Sequence, residues 1–137
     1  MSSGVQVADG VVSTYQELKL GHSLRYALFK LNDNNTEIVV DKTAPPSATY
    51  DDFVKNLPSN DCRYAVFDFE YQEDGGQRNK ILFVVWAPDS AKIKAKMLYA
   101  SSKDAVRKKL VGVGTEIQAT DLSEIDRDTV MDKVKRV

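Results

Sequence analysis

The chain has 137 residues, 42% of them apolar, and a formal net charge of −1. That length and apolar share suit one domain around one core. Near-neutrality argues against a general nucleic-acid binder, because a large phosphate footprint calls for a strongly basic domain.

The longest apolar run, Ile81–Ala87, is bounded by Lys80 and Pro88 and is far shorter than a membrane-crossing helix of roughly 20 residues. No charged-then-apolar leader opens the chain, so a soluble intracellular protein is expected. The single cysteine, Cys62, has no internal partner and suits a reducing compartment as a buried structural thiol.

In chain order, residues 1–8 lack periodicity and read as a mobile arm. Val11, Val12, Tyr15 and Leu18 recur at helical spacing from Asp9 to Leu20, and Gly21 follows as a stop. Tyr26–Leu31 and Thr36–Asp41 read as a hairpin around Asn32–Asn35, whose side chains tolerate turn geometry. After Pro45-Pro46, the residues Tyr50, Phe53, Val54 and Leu57 predict a short helix ending at Pro58.

A second hairpin pairs Arg63–Tyr71 with Lys80–Trp86 through Glu73–Gln77. The Ile81–Ala87 run is apolar on both alternating faces, which predicts a strand covered on two sides. A helical pattern from Pro88 to Val111, a strand at Thr115–Ala119 and a helix at Ser123–Arg136 complete the chain. This order predicts an α/β sandwich: a mixed sheet between helical layers.

The segment Pro88–Val111 carries the functional signal. At roughly 100° per residue, Ala95, Leu98, Tyr99, Ser102, Ala105 and Val106 share a core face. Lys92, Lys96, Lys103 and Arg107 form one flanking column, and Lys94, Ser101 and Lys108 form another. Between the columns lie Ile93, Met97, Ala100 and Asp104. An outward Met among cations suits docking to an acidic partner with an irregular groove. The alternative is an ordinary amphipathic helix whose Ile93 and Met97 widen the core stripe. Ser101-Ser102-Lys103-Asp104 also has the form of a helix start, so one helix, a kinked helix or two helices are all compatible with the pattern.

No catalytic set emerges. The only histidine, His22, is distant in sequence from Cys62, and zinc spacing is absent. Asp68 and Glu70 could in principle act as paired carboxylates on one strand face, but they share it with Tyr64 and Val66, and a partly solvated edge is the favoured reading. Gly112-Val113-Gly114 follows a helix and lacks the lysine and hydroxyl residue of a phosphate loop.

The run Ala87-Pro-Asp-Ser-Ala91, then Lys92-Ile-Lys-Ala-Lys-Met97 and Ala100-Ser-Ser-Lys-Asp104, closely resembles the actin-depolymerising factor/cofilin family. The stretch Asp61–Tyr71 and the opening Ser3-Gly4-Val5 resemble it too, most of all its short amoeboid and fungal members. The likeness runs from about Ser3 to the last helix, which implies a single actin-depolymerising-factor homology domain over 1–137. It implies a non-enzymatic, monomeric, cytoplasmic protein without cofactor that binds ADP-actin monomers and filaments, alters filament twist, severs and promotes depolymerisation.

Carried over by position, the resemblance assigns actin contact to Ser3, Gly4, Val5, Lys94, Lys96, Met97, Asp104, Arg107 and Lys108, beside Ile93 from the helical pattern. It assigns a filament-side surface to Arg78, Lys80, Asp132, Lys133 and Arg136. Ser3 becomes a phosphorylation candidate. Lys94, Lys96, Lys108 and Lys109 become candidates for phosphoinositide head groups, which also supplies the alternative of an anionic-ligand-binding module. Gly21-His22-Ser23-Leu24 stands where vertebrate members carry a basic nuclear-import cluster, so no import signal is evident. No histidine follows His22, so the pH sensing of some relatives is unsupported.

Overall fold

The structure, a computed structural model, describes residues 4–135. Its elements are β1 (Gln6–Val7), α1 (Asp9–Lys19), β2 (Tyr26–Leu31), β3 (Glu37–Ala44), α2 (Tyr50–Lys55), β4 (Arg63–Glu73), β5 (Gly76–Trp86), α3 (Ile93–Lys109), β6 (Thr115–Ala119) and α4 (Arg127–Lys135). Six strands form one sheet in the order β1-β3-β2-β4-β5-β6. The inner pairs are antiparallel, and the two outer strands β1 and β6 pair in parallel.

Alternation along β4 divides the core. Ala65, Phe67, Phe69 and Tyr71 pack with Tyr50 and Phe53 of α2 and with Val130 and Val134 of α4. Tyr64 and Val66 pack with Val11, Tyr15 and Leu18 of α1 and with Tyr99 and Val106 of α3. Along β5, Leu82 and Val84 face the first layer and Phe83 and Val85 the second. The expected sandwich is therefore present, with α1 and α3 on one side of the sheet and α2 and α4 on the other.

Local chemistry sets the element ends. Thr49 and Asp52 form a reciprocal capping box at the start of α2. Asp126 accepts from the Asp128 amide at 3.2 Å and begins α4 at Arg127, four residues beyond the expected Ser123. The second hairpin closes through Asp74 and Gly75, both at positive φ, so its strands extend further than expected and the connection shrinks to two residues.

Two further readings are corrected. The mobile arm expected over residues 1–8 does not hold from Val5 onward: Val5 is buried, and Gln6–Val7 pairs with Glu37 and Ile38. A two-residue strand carries no periodicity, which is why sequence alone passes over it. The basic segment is one helix, not two, and it begins at Ile93 and not at Pro88. Residues 88–91 form a turn closed by the Ala91 amide on the Pro88 carbonyl at 2.9 Å.

Candidate functional site: the outer face of α3

α3 is held from beneath at mid-length and at its end. The Tyr99 hydroxyl accepts from the Leu31 amide of β2 at 2.9 Å, and the Tyr64 hydroxyl of β4 donates to the Tyr99 carbonyl. Burial raises the pKa of both phenols, so each stays protonated. Beyond the last turn, the Val111 carbonyl accepts from the Tyr15 hydroxyl at 2.7 Å and from Lys19 Nζ at 2.9 Å. Gly112 follows at φ +96°, where a Cβ would collide with the Lys19 side chain. Only glycine takes that backbone angle without strain.

With Tyr99, Ser102 and Val106 buried, the opposite face of α3 is open. Ile93 is 74% exposed and Met97 66% exposed, so neither widens the core stripe. They stand four residues apart, on the same helix face. Lys94, Asp104, Lys108 and Lys109 are exposed around them. The N-terminal end of α3 has no side-chain cap and no acidic residue in its first turn, whereas Lys92 and Lys94 are both there. Cations oppose the helix dipole at that end by about 0.3–1 kcal/mol each, so helix stability does not account for them.

Two of the expected contact cations are already engaged within the fold. Lys96 is half-buried and donates from Nζ to the Asp89 carbonyl at 2.9 Å, bracing the turn before the helix. Arg107 lies 3.7 Å from Glu116 on β6, which also takes Lys103 at 3.1 Å. Sequence reasoning missed these partners because Glu116 meets α3 only through the tertiary fold, and Asp89 meets Lys96 only because residues 88–91 turn where a continuous helix is expected. Strand alternation on β6 does place Glu116 outward, opposite in phase to the buried Ile117.

β1 lies against α3, and Val5 is buried in the same core layer. Gly4 is exposed at φ +85°. Val5 therefore serves the core and not the open surface. Ser3 lies outside the described residues, as does Arg136.

The filament-side candidates fall on the other side of the sheet. Arg78 on β5 and Asp132 on α4 are exposed, and Lys133 is half-buried. Lys80 is half-buried, and its Nζ donates to the Val134 carbonyl at 2.8 Å.

The enzymatic alternative loses its geometry. Asp68 is buried and accepts from Asn79 at 3.1 Å, with His22 Nδ1 at 3.8 Å, whereas Glu70 is exposed and pairs with Arg25 at 2.9 Å. Each carboxylate is committed to its own partners. Burial pushes the Cys62 thiol up to about 11, which leaves it inert as a nucleophile near neutral pH. Among the described residues no group of three or more His, Cys, Asp or Glu is arranged to hold a metal ion. No described helix is long and apolar enough to cross a membrane.

Comparison with known proteins places the fold in a family. Residues 4–135 match the family described as cofilin/tropomyosin-type actin-binding protein. The chain is 57% identical to actophorin of Acanthamoeba castellanii over 134 residues, covering 98% of this chain and 97% of that protein. It is 58% identical to cofilin of Mycosarcoma maydis over 137 residues, covering 99% and 98%. The crystal structure of Streptomyces griseoflavus cofilin superimposes with a TM-score of 0.92 at 53% identity, covering 97% of this chain and 98% of that one. With the α/β sandwich and the solvent-facing apolar pair of α3 in place, the chain belongs to the actin-depolymerising factor/cofilin family of actin-binding proteins, which are regulators and not enzymes.

Proposed function

We propose that this protein binds ADP-actin as monomer and filament, inserting the outer face of α3 into an apolar cleft rimmed by carboxylates. The observation that carries this reading is the exposure of Ile93 and Met97 amid the lysines of α3. Desolvating that pair contributes a few kcal/mol at about 25 cal/mol per Å². Micromolar affinity needs roughly 8 kcal/mol net, so polar contacts from Lys94, Asp104, Arg107 and Lys108 and from the N-terminal residues must add to it. Lys96 and Arg107 contribute only after exchanging their internal partners for those of actin.

On filaments, the surface carrying Arg78, Asp132 and Lys133 meets a neighbouring subunit. Tighter binding to a twisted filament than to an ordinary one shifts the population toward the twisted form, and the junctions with bare filament then break. The protein works as a monomer at the cytoplasmic actin cytoskeleton. Phosphorylation of Ser3 would add about −1.5 to −2 charge near the acidic rim and weaken binding.

Cosedimentation with actin filaments tests the core of this reading. Ile93→Asp combined with Met97→Asp should leave the protein in the supernatant. Binding equal to that of the parent would remove α3 from the interface.

A second ligand for the same surface is favoured by the uncapped, lysine-bearing start of α3. Phosphoinositide head groups would compete there with actin through Lys94, Lys96, Lys108 and Lys109. Binding to anionic vesicles should collapse between 50 and 200 mM salt by roughly the steep power law of phosphate contacts, whereas actin binding through an apolar centre should fall less.

A further inference from the structure

One cross-strand pair holds both ends of the last helix. Phe69 on β4 and Lys80 on β5 are direct partners across the hairpin. The guanidinium of Arg127, the first residue of α4, sits over the Phe69 ring at 5.3 Å from its centroid. Lys80 Nζ donates to the carbonyl of Val134, one residue before α4 ends.

α4 has nine residues, too few to persist alone in water; it buries Val130 and Val134 and packs a half-buried Met131 against the same layer. A cation on a late carbonyl and a stacked cation at the first residue add to that packing and fix the two ends of its axis. The stem of Lys80 runs beside Gly114, where an added Cβ would lie 3.4 Å from its Cγ.

We propose that Lys80 is a positioning residue: it acts on filament binding by seating α4, so that Asp132 and Lys133 meet the filament together with Arg78, and not by touching actin itself. This rests on the filament-side reading given above. It separates two residues that charge and sequence position group together, because Arg78 is exposed on the same strand whereas the Lys80 ammonium is already bonded within the fold.

The test uses the full chain and two readouts: cosedimentation with filaments, and hydrogen exchange of the α4 amides. Lys80→Met keeps the stem and removes the donor. It should weaken filament binding by about 3- to 10-fold, as expected for one half-buried hydrogen bond of ordinary strength, and raise α4 exchange by a similar factor. Monomer binding should stay within about twofold, since α3 lies on the opposite face and distant sites act independently. Lys80→Arg should restore both properties.

Arg127→Ala, which frees the other end of α4, should reproduce the paired effect, and it serves if Lys80→Met fails to fold. Weaker filament binding with unchanged α4 exchange would overturn the proposal and make Lys80 a direct contact. Raised exchange with unchanged filament binding would overturn it as well. If Arg78→Ala and the pair Asp132→Ala with Lys133→Ala all bind filaments like the parent, the filament-side reading has failed, and this inference fails with it.

Discussion

The Leu31 amide donates to the Tyr99 hydroxyl, 68 residues away, at 2.9 Å, and the Tyr64 hydroxyl donates to the Tyr99 carbonyl, so two phenols fasten the middle of α3 to the sheet. Tyr99→Phe keeps the ring packed on Tyr64 but strands a part-buried amide. The cost should be about 1–3 kcal/mol of unfolding free energy, read from denaturant melts. A shift below about 0.5 kcal/mol would mean that packing and the Tyr64 bond hold the helix without help from the Tyr99 hydroxyl.

The exposed pair of α3 should separate binding from stability. Ile93→Ala and Met97→Ala remove side chains that face solvent, so each should change stability by no more than about 0.5 kcal/mol. Each should still weaken monomer binding by more than about 1 kcal/mol, roughly fivefold or greater, as for central anchors of an interface. Fluorescence titration with actin monomers, set beside thermal melts, measures both quantities.

Lys96→Ala and Lys94→Ala should differ although the sequence treats them alike. Lys94 is exposed, and its loss should leave the melt unchanged while slowing association. Lys96 braces the Asp89 carbonyl, so its loss should also lower stability, by about 0.5–1.5 kcal/mol. Equal melts for the two variants would contradict the bracing role.

Gly112→Ala forces a Cβ into a residue at φ +96°, with Lys19 Nζ only 2.5 Å from the new atom. The backbone term alone costs about 1–2 kcal/mol, and displacing Lys19 removes one of two donors to the Val111 carbonyl. A loss of more than about 1 kcal/mol in urea unfolding is expected.

Alkaline pH should destabilise the fold in part through Cys62. Burial, the leading cause, raises its thiol from 9.0 to about 11, with the neighbouring Asp61 carboxylate acting in the same direction. A raised folded-state pKa means that the unfolded chain loses its proton first, so the contribution is intact below pH 9 and disappears as pH rises toward 11. Tyr64 and Tyr50 are raised by burial and act in the same sense. Cys62→Ala should therefore show a shallower decline in stability between pH 9 and 11 than the parent, although it starts from a lower value.

What was legible in the chain was what repeats along it. α1, the β4–β5 hairpin and the outward placement of Ile93 and Met97 all follow from local periodicity, because burial there obeys a 3.6- or 2-residue spacing. What escaped depends on partners distant in sequence. β1 exists because Glu37 and Ile38 lie beside it, and α3 starts late because the turn before it is held by Ser90 on the Ser59 carbonyl at 2.5 Å. The same holds for charge. Lys80, Lys96 and Arg107 look like surface cations in the sequence, yet each closes onto a carbonyl or carboxylate from a distant or preceding segment.

The division of the helices between the two sides of the sheet makes the molecule a rigid spacer. On the proposed reading, a partner on α3 and another on the hairpin and α4 would be kept apart by a layer of interlocked aromatic rings, Tyr64 and Phe83 toward the first and Phe67 and Phe69 toward the second. Such a layer does not compress, so the angle between two simultaneous guests is dictated by the protein and not negotiated by them.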